Sequence, residues 1–332
     1  MTLLRCATKM LPAVVLAAAA AIAASAQAPL AQANAALQAG EADRALALLN
    51  SLSPSGAGQA EAHNLQCRVR FTLEQWNAAA SQCEQAARLD GQNSNYHLWL
   101  GRALGEKADR ASFLRAYSLA KRVRAEFEES VSLNPRNAEA LADLGEFYRQ
   151  APGVVGGGID KAQGIAAQLD KVDPARAHEL RGRIAEEHKD YGAAEREFKL
   201  AVAAGAHPAF QWTSLAGFYS RRQRWTEMES AVHSVLTAAR RDKHASAALY
   251  IGAGLLTESN HDPALAARML EDYLAGSEKT EEAPAFVAHH RLARLDDQLG
   301  DAAGANRERA AALALAHDYK PAQEAGPQEA RN

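Results

Sequence analysis

HELRGRIAEEHKDYGAAEREFKLAV (residues 178–202) and QWTSLAGFYSRRQRWTEMESAVHSVL (residues 211–236) overlay at a shift of 34 residues. Gly182 falls on Ala216, Tyr191 on Trp225, Ala194 on Met228, Phe198 on Val232 and Ala201 on Val235. Trp212, Leu215, Ala216 and Tyr219 have the spacing of one helix face, and Trp225, Met228, Val232 and Val235 form a second. Such spacing predicts two amphipathic helices per unit. Abundant Ala, few aromatics and little Val/Ile/Thr alternation favour helix over sheet along the whole chain.

The pattern extends outward from this pair. Leu30–Leu52 reads as a degenerate first hairpin turning at 40–43, with Ala45 and Leu49 facing in. Ala60–Asp90 is the second, with Trp76, Ala79, Cys83 and Ala86 on its second helix. The third runs from Tyr96 to Pro135 and the fourth from Ala138 to Pro174. Beyond the aligned pair, Ala247–Leu274 and Ala285–Ala316 are looser copies. A period near 34 residues with large-small-large positions resembles the tetratricopeptide repeat. The resemblance implies an all-α, right-handed superhelical solenoid of about seven to eight hairpins. Each hairpin is apolar on two faces, so only stacking on neighbours buries both. Small residues at Gly101, Gly145, Gly182 and Ala216 would let paired helices approach; a large residue there would overpack the contact by about 1–3 kcal/mol.

The ends read differently. Arg5 and Lys9, the apolar run Leu11–Ala24 and the small residues Ala24-Ser25-Ala26 predict a signal peptide over 1–26. The run is short and Ala-rich for a membrane span, which needs about 20 apolar residues. The repeat array is expected over 27–318, and KPAQEAGPQEARN after Tyr319 reads as a disordered tail over 319–332. An exported protein of the periplasm, or a secreted one, is the expectation. Without Arg5 and Lys9 the net charge is −5, which argues against a nucleic-acid partner.

Two cysteines remain after cleavage, Cys67 and Cys83. In the repeat frame they occupy facing positions on the two helices of the second hairpin. A disulfide between them suits an oxidising compartment; the other reading is two buried thiols. Neither suggests redox chemistry, because there is no C-x-x-C.

Insertions at about 107–120 and 152–161 set the third and fourth hairpins apart. Between Arg102 and Arg124 lie Lys107, Arg110, Arg115, Lys121 and Arg122, opposed only by Glu106 and Asp109. This basic segment, with Phe113, Leu114, Tyr117 and Leu119, suits an acidic protein segment, a lipid headgroup or an anionic polymer. The plainer reading is a lengthened turn with a solvated basic face. The fourth hairpin carries the Gly-rich turn APGVVGGGIDKA, with Pro152, Gly156, Gly157, Gly158, Asp160 and Lys161. Helix N-termini attract anions, but Gly-Lys-Ser/Thr and a preceding strand are missing, so glycine is more simply backbone freedom for a tight turn.

No catalytic set can be nominated. The eleven His residues include no H-E-x-x-H, and His289 and His290 point to different sides of one helix. No metal and no cofactor are expected. The tetratricopeptide resemblance places Arg102, Glu146, Arg149, Arg183, Glu186 and Arg221 in the inner groove, where alternating charge suits an extended peptide. The expectation is a non-enzymatic protein- or peptide-binding scaffold of the bacterial envelope. The alternative is a ligand-binding accessory subunit with a small-molecule or anionic pocket near residues 99–161.

Overall fold

Antiparallel helix pairs follow one another along the computed structural model, which describes residues 28–52 and 57–324. The first hairpin joins α1 (28–38) to α2 (Ala42–Ser51). The second joins α3 (Ala57–Thr72) to α4 (Trp76–Leu89), and the third α5 (Ser94–Asp109) to α6 (Phe113–Leu133). The fourth joins α7 (Ala138–Gln150) to α8 (Ile159–Leu169) across a single 3-10 turn, Gly153–Val155. Then come α9 (Pro174–Glu187) with α10 (Tyr191–Ala204), α11 (Pro208–Arg221) with α12 (Trp225–Ala239), α13 (Ala247–Glu258) with α14 (Pro263–Ala275), and α15 (Ala285–Leu299) with α16 (Ala302–Leu315). A short α17 (Lys320–Glu324) follows. Among the described residues there are eight hairpins and no strand. No described helix is long and apolar enough to cross a membrane. The expected signal peptide lies outside the described residues.

Local chemistry sets the boundaries. The side chains of Asn93, Asn137, Asp173 and Asp190 accept N–H bonds at the starts of α5, α7, α9 and α10. Pro174, Pro208 and Pro263 occupy first turns, where the missing N–H costs nothing. Gly101 and Gly182 sit where paired helices approach, while Gly145 meets both its own pair, at Ile165, and the next hairpin, at Leu180. A Cβ on Gly101 would lie 2.5 Å from the Phe127 ring, and one on Gly145 2.5 Å from Leu180.

Cys67 and Cys83 form a disulfide with Cα atoms 5.2 Å apart, both residues fully buried.

A register repeats on the hairpin flanks. The Nδ1 atoms of His63, His178 and His289 bond Gln82, Glu197 and Glu308, each 19 residues on. In the third hairpin His97 bonds Glu126, 29 residues on. The excess of ten is the insertion. It does not make the long turn expected from the sequence: the turn is only Arg110–Ser112, three of the extra residues lengthen α5, and seven extend α6 to 21 residues. Consecutive helix-forming residues gain i to i−4 hydrogen bonds by continuing the hairpin upward rather than opening a loop.

The array closes on itself. Leu30, Leu37, Leu49 and Leu73 share one apolar cluster with Phe286, Tyr319 and Ala322. Glu281 accepts from Arg68 Nε at 2.8 Å, Arg68 Nη2 at 2.5 Å and Gln38 Nε2 at 3.1 Å. Asp43 accepts from the His317 backbone N–H at 2.9 Å. Gly40 sits at the seam with φ of +74°, and a Cβ there would collide with the backbone of Ala285. The expected tail therefore starts too early at 319: Tyr319 and Ala322 are buried, because the seam offers them apolar surface.

Three outcomes are expected. The disulfide closes a 16-residue span, so the double variant Cys67→Ala/Cys83→Ala should lose about 2–4 kcal/mol in denaturant titration; a midpoint insensitive both to the variant and to reductant would show free thiols in solution. Gly40→Val should cost roughly 1–3 kcal/mol, with faster amide exchange in 30–37 and 312–322 than in 208–239; uniform acceleration would mean that the seam does not open separately. The Glu126 hydrogen bond, against the opposing effect of burial, raises His97 above its ordinary 6.5. The folded value exceeds the unfolded one, so this stabilisation is complete below about pH 6.5 and fades as pH rises through the folded value. The Tm gap between wild type and His97→Gln should thus shrink from about pH 5.5 to about pH 8.5, and a gap constant with pH would overturn the assignment.

Candidate functional site

The inner-groove charges form a ladder. Arg102 Nε donates to Asp143 at 2.6 Å and its Nη2 to Glu139 at 3.1 Å. Arg149 holds Glu146 from the same helix and Glu187 from the next hairpin. Arg183 reaches back to Glu146 at 3.5 Å, and Arg221 to Glu186 at 2.8 Å. Successive first helices are thus bonded to one another, each half-exposed pair contributing about 0.2–1 kcal/mol. Burial opposes ionisation of Glu146, yet Arg149 and Arg183 outweigh it and hold the carboxyl below its ordinary range. At Asp143 burial prevails, and the carboxyl lies above its ordinary range despite Arg102.

The basic segment divides in two. Arg110 bonds Glu106 at 2.6 Å and lies 4.6 Å over the Trp76 ring, and Arg122 bonds Glu84 at 2.7 Å. Lys107, Arg115 and Lys121 have no ion-pair partner among the described residues, Lys121 lying 4.5 Å over the Tyr117 ring.

The Gly-rich turn is satisfied from within. The N–H groups of Gly156, Gly157 and Gly158 donate to the carbonyls of Gly153, Pro152 and Tyr148. Arg124 packs over Gly156, and Lys161 Nζ donates to the Gly156 carbonyl at 2.7 Å. Gly158 is the N-cap of α8. The three N–H groups are taken up by carbonyls of the turn and of α7, so they form no anion cradle. The contact of Arg124 with this turn does bring the two insertions together at one edge.

What the closed array leaves at its centre is a cavity of about 830 Å³. Its aromatic wall includes Phe71, Trp76 and Trp99 from the second and third hairpins, and Phe127 and Phe147 from the third and fourth. Phe71 meets Trp76 and Trp99 edge-on at 5.2 and 5.6 Å. Across the ring stand Tyr250, Glu282 and Arg291. The Arg291 guanidinium lies 4.1 Å over the Tyr250 ring, and burial pushes the phenol pKa up. Most acids on the wall are paired: Glu106 with Arg110, Asp143 with Arg102, Glu146 with Arg149, Glu281 with Arg68. Glu74, Asp109 and Glu282 line the cavity with no ion-pair partner among the described residues. Arg291 also lacks an ion-pair partner among the described residues, so the unpaired charge facing the cavity is three carboxylates against one guanidinium, which lies over Tyr250.

The sequence pointed at Trp99, Phe147 and the 152–161 turn, and these do line the cavity on one side. It missed Glu74, Tyr250, Glu282 and Arg291. No spacing links them to residue 99; they meet it only because the ring closes. Among the described residues no group of three or more His, Cys, Asp or Glu side chains could hold a metal.

No family model and no curated protein sequence matches the chain. Among solved structures it is similar to TTC0263, a thermophilic TPR protein of Thermus thermophilus, at 16% identity and TM-score 0.48, over 58% of this chain and 98% of that one. It is similar to YrrB, a TPR protein with an unusual peptide-binding site, at 12% identity and TM-score 0.36, over 60% of this chain and 96% of that one. The apo quorum sensor NprR from B. thuringiensis aligns over 87% of each chain at 12% identity and TM-score 0.44. Likeness of this degree carries nothing about what the present chain binds. By its own helix pairing, its 34-residue period and its small-residue contacts, the chain is a tetratricopeptide-like all-α solenoid.

Proposed function

We propose that this protein is a non-catalytic binding protein of the bacterial envelope, and that its central cavity takes a cationic, apolar-bearing segment of a protein or peptide partner. The observation that carries the reading is the pairing pattern: the cavity-lining acids are paired except Glu74, Asp109 and Glu282, which stand beside an aromatic wall. An aromatic wall contributes apolar contact and face-on attraction for cations. Free carboxylates then select a Lys- or Arg-containing segment over an acidic one. A volume of about 830 Å³ is within the range of sites that enclose a few residues or a drug-sized molecule. The charged ladder along the groove supports a rigid scaffold, whose preorganisation lowers the cost of binding. Export agrees with the buried disulfide and the basic-apolar start of the chain.

Trp76 and Trp99 in the wall provide the readout. Short peptides carrying Lys, Arg and one aromatic residue should change the tryptophan emission in a saturable way, while acidic peptides of the same length should not. Glu74→Gln/Glu282→Gln should weaken the basic peptides about tenfold, corresponding to about 1.4 kcal/mol. Equal affinity for basic and acidic peptides, or an unchanged affinity in the variant, would refute the reading. Saturable binding of small organic cations alone, with no peptide response, would move the assignment to the small-molecule alternative.

A further inference from the structure

The two extra turns of α6 overhang the packed edge of the array. In the second, fifth and eighth hairpins the His partner of the register lies six residues into the second helix. In α6 it lies thirteen residues in, at Glu126. The seven added residues are FLRAYSL, 113–119, about 10 Å of helix. Phe113 is 84% exposed and Leu114 81%, and Val154 on the adjoining turn is 72% exposed. The other exposed large apolar side chains of the described residues reach at most 47%. The three most exposed apolar groups therefore belong to the two adjacent insertions.

Their surroundings are cationic. At about 100° per residue, Phe113, Leu114, Tyr117 and Lys121 fall within about one third of the helix circumference. Lys121 lies inside that sector, Arg115 and Arg122 fall about 80–100° beyond Leu114 on the same side, and no acidic residue occurs in α6 before Glu126. Arg115 and Lys121 have no ion-pair partner among the described residues. Phe113, Leu114 and Tyr117 line none of the larger cavities of the described residues, so the tip is a knob rather than a groove. Large apolar side chains beside an amphipathic tyrosine and free cations match the boundary of a bilayer, where acyl chains and headgroups lie a few ångströms apart.

We propose that the overhanging end of α6 is a docking element for an anionic lipid surface. Phe113 and Leu114 enter the headgroup–acyl boundary, Tyr117 lies at the headgroup level, and Arg115 and Lys121 meet lipid phosphates. An anchor of two side chains and two or three charges gives weak, reversible, salt-sensitive attachment. The rest of the molecule carries net negative charge, so attachment orients it with this edge toward the membrane. The inference is independent of what the cavity binds.

Co-sedimentation of the full chain with phosphatidylcholine vesicles, with or without roughly one phosphatidylglycerol in three lipids, tests it. Binding is expected to the anionic vesicles only, and to weaken as salt rises. Phe113→Ser/Leu114→Ser should abolish it, and Arg115→Glu/Lys121→Glu should lower it at least about tenfold. These side chains are exposed, so both variants should keep the wild-type thermal midpoint. The proposal is overturned if wild type does not sediment with anionic vesicles, or if both variants sediment as it does. It is also overturned if light scattering shows the Phe113/Leu114 variant converting a dimer to a monomer, which would make the tip a contact between copies.

Discussion

Glu281 holds the two ends of the chain together. It is only 7% exposed, and it takes two hydrogen bonds from Arg68 and one from Gln38. An unpaired carboxylate at this depth would be costly, and the bidentate guanidinium offsets its desolvation. The bond joins residues 213 positions apart, so it forms only when the stacked hairpins have completed their curve. Burial of Phe286 and Tyr319 on the first two hairpins supplies the apolar part of the same seam. Removing the seam would leave an open superhelix with a groove. Keeping it makes a ring with a room at its centre.

That difference changes what the groove charges do. In an open solenoid, Arg102, Glu146, Arg149, Arg183, Glu186 and Arg221 would face solvent or a peptide. Here each holds a neighbouring hairpin, and the resulting ladder stiffens the concave wall. What remains for a partner is the aromatic surface and the few carboxylates without a cation. The seam brings Glu282 and Tyr250 opposite Trp99, so the far wall of the cavity is contributed by residues 250–291.

Much of the fold was legible before any coordinates. The overlay of residues 178–202 on 211–236 marked helix length, hairpin pairing and the small residues that meet Phe127, Leu180 and Phe198. The facing of Cys67 and Cys83 followed from the same frame. A further signal was overlooked: His63, His178 and His289 each have Gln or Glu 19 residues on, and His97 has Glu126 at 29. That register marks ten added residues, which the structure shows to be helix rather than turn. The cavity was half legible, since Trp99 and Phe147 stood out while their opposite wall did not.

A 34-residue period, an apolar stripe on each helix and a glycine where two helices touch are local facts, encoded within one hairpin and its neighbour. Amino-acid order alone was enough for the architecture and for the facing of Cys67 and Cys83. Closure is of another kind. It sums small rotations over eight hairpins, and a small error in each would part Glu281 from Arg68. No single repeat records that sum, so the ring, its aromatic cavity and the burial of Tyr319 and Ala322 emerged only with the three-dimensional arrangement.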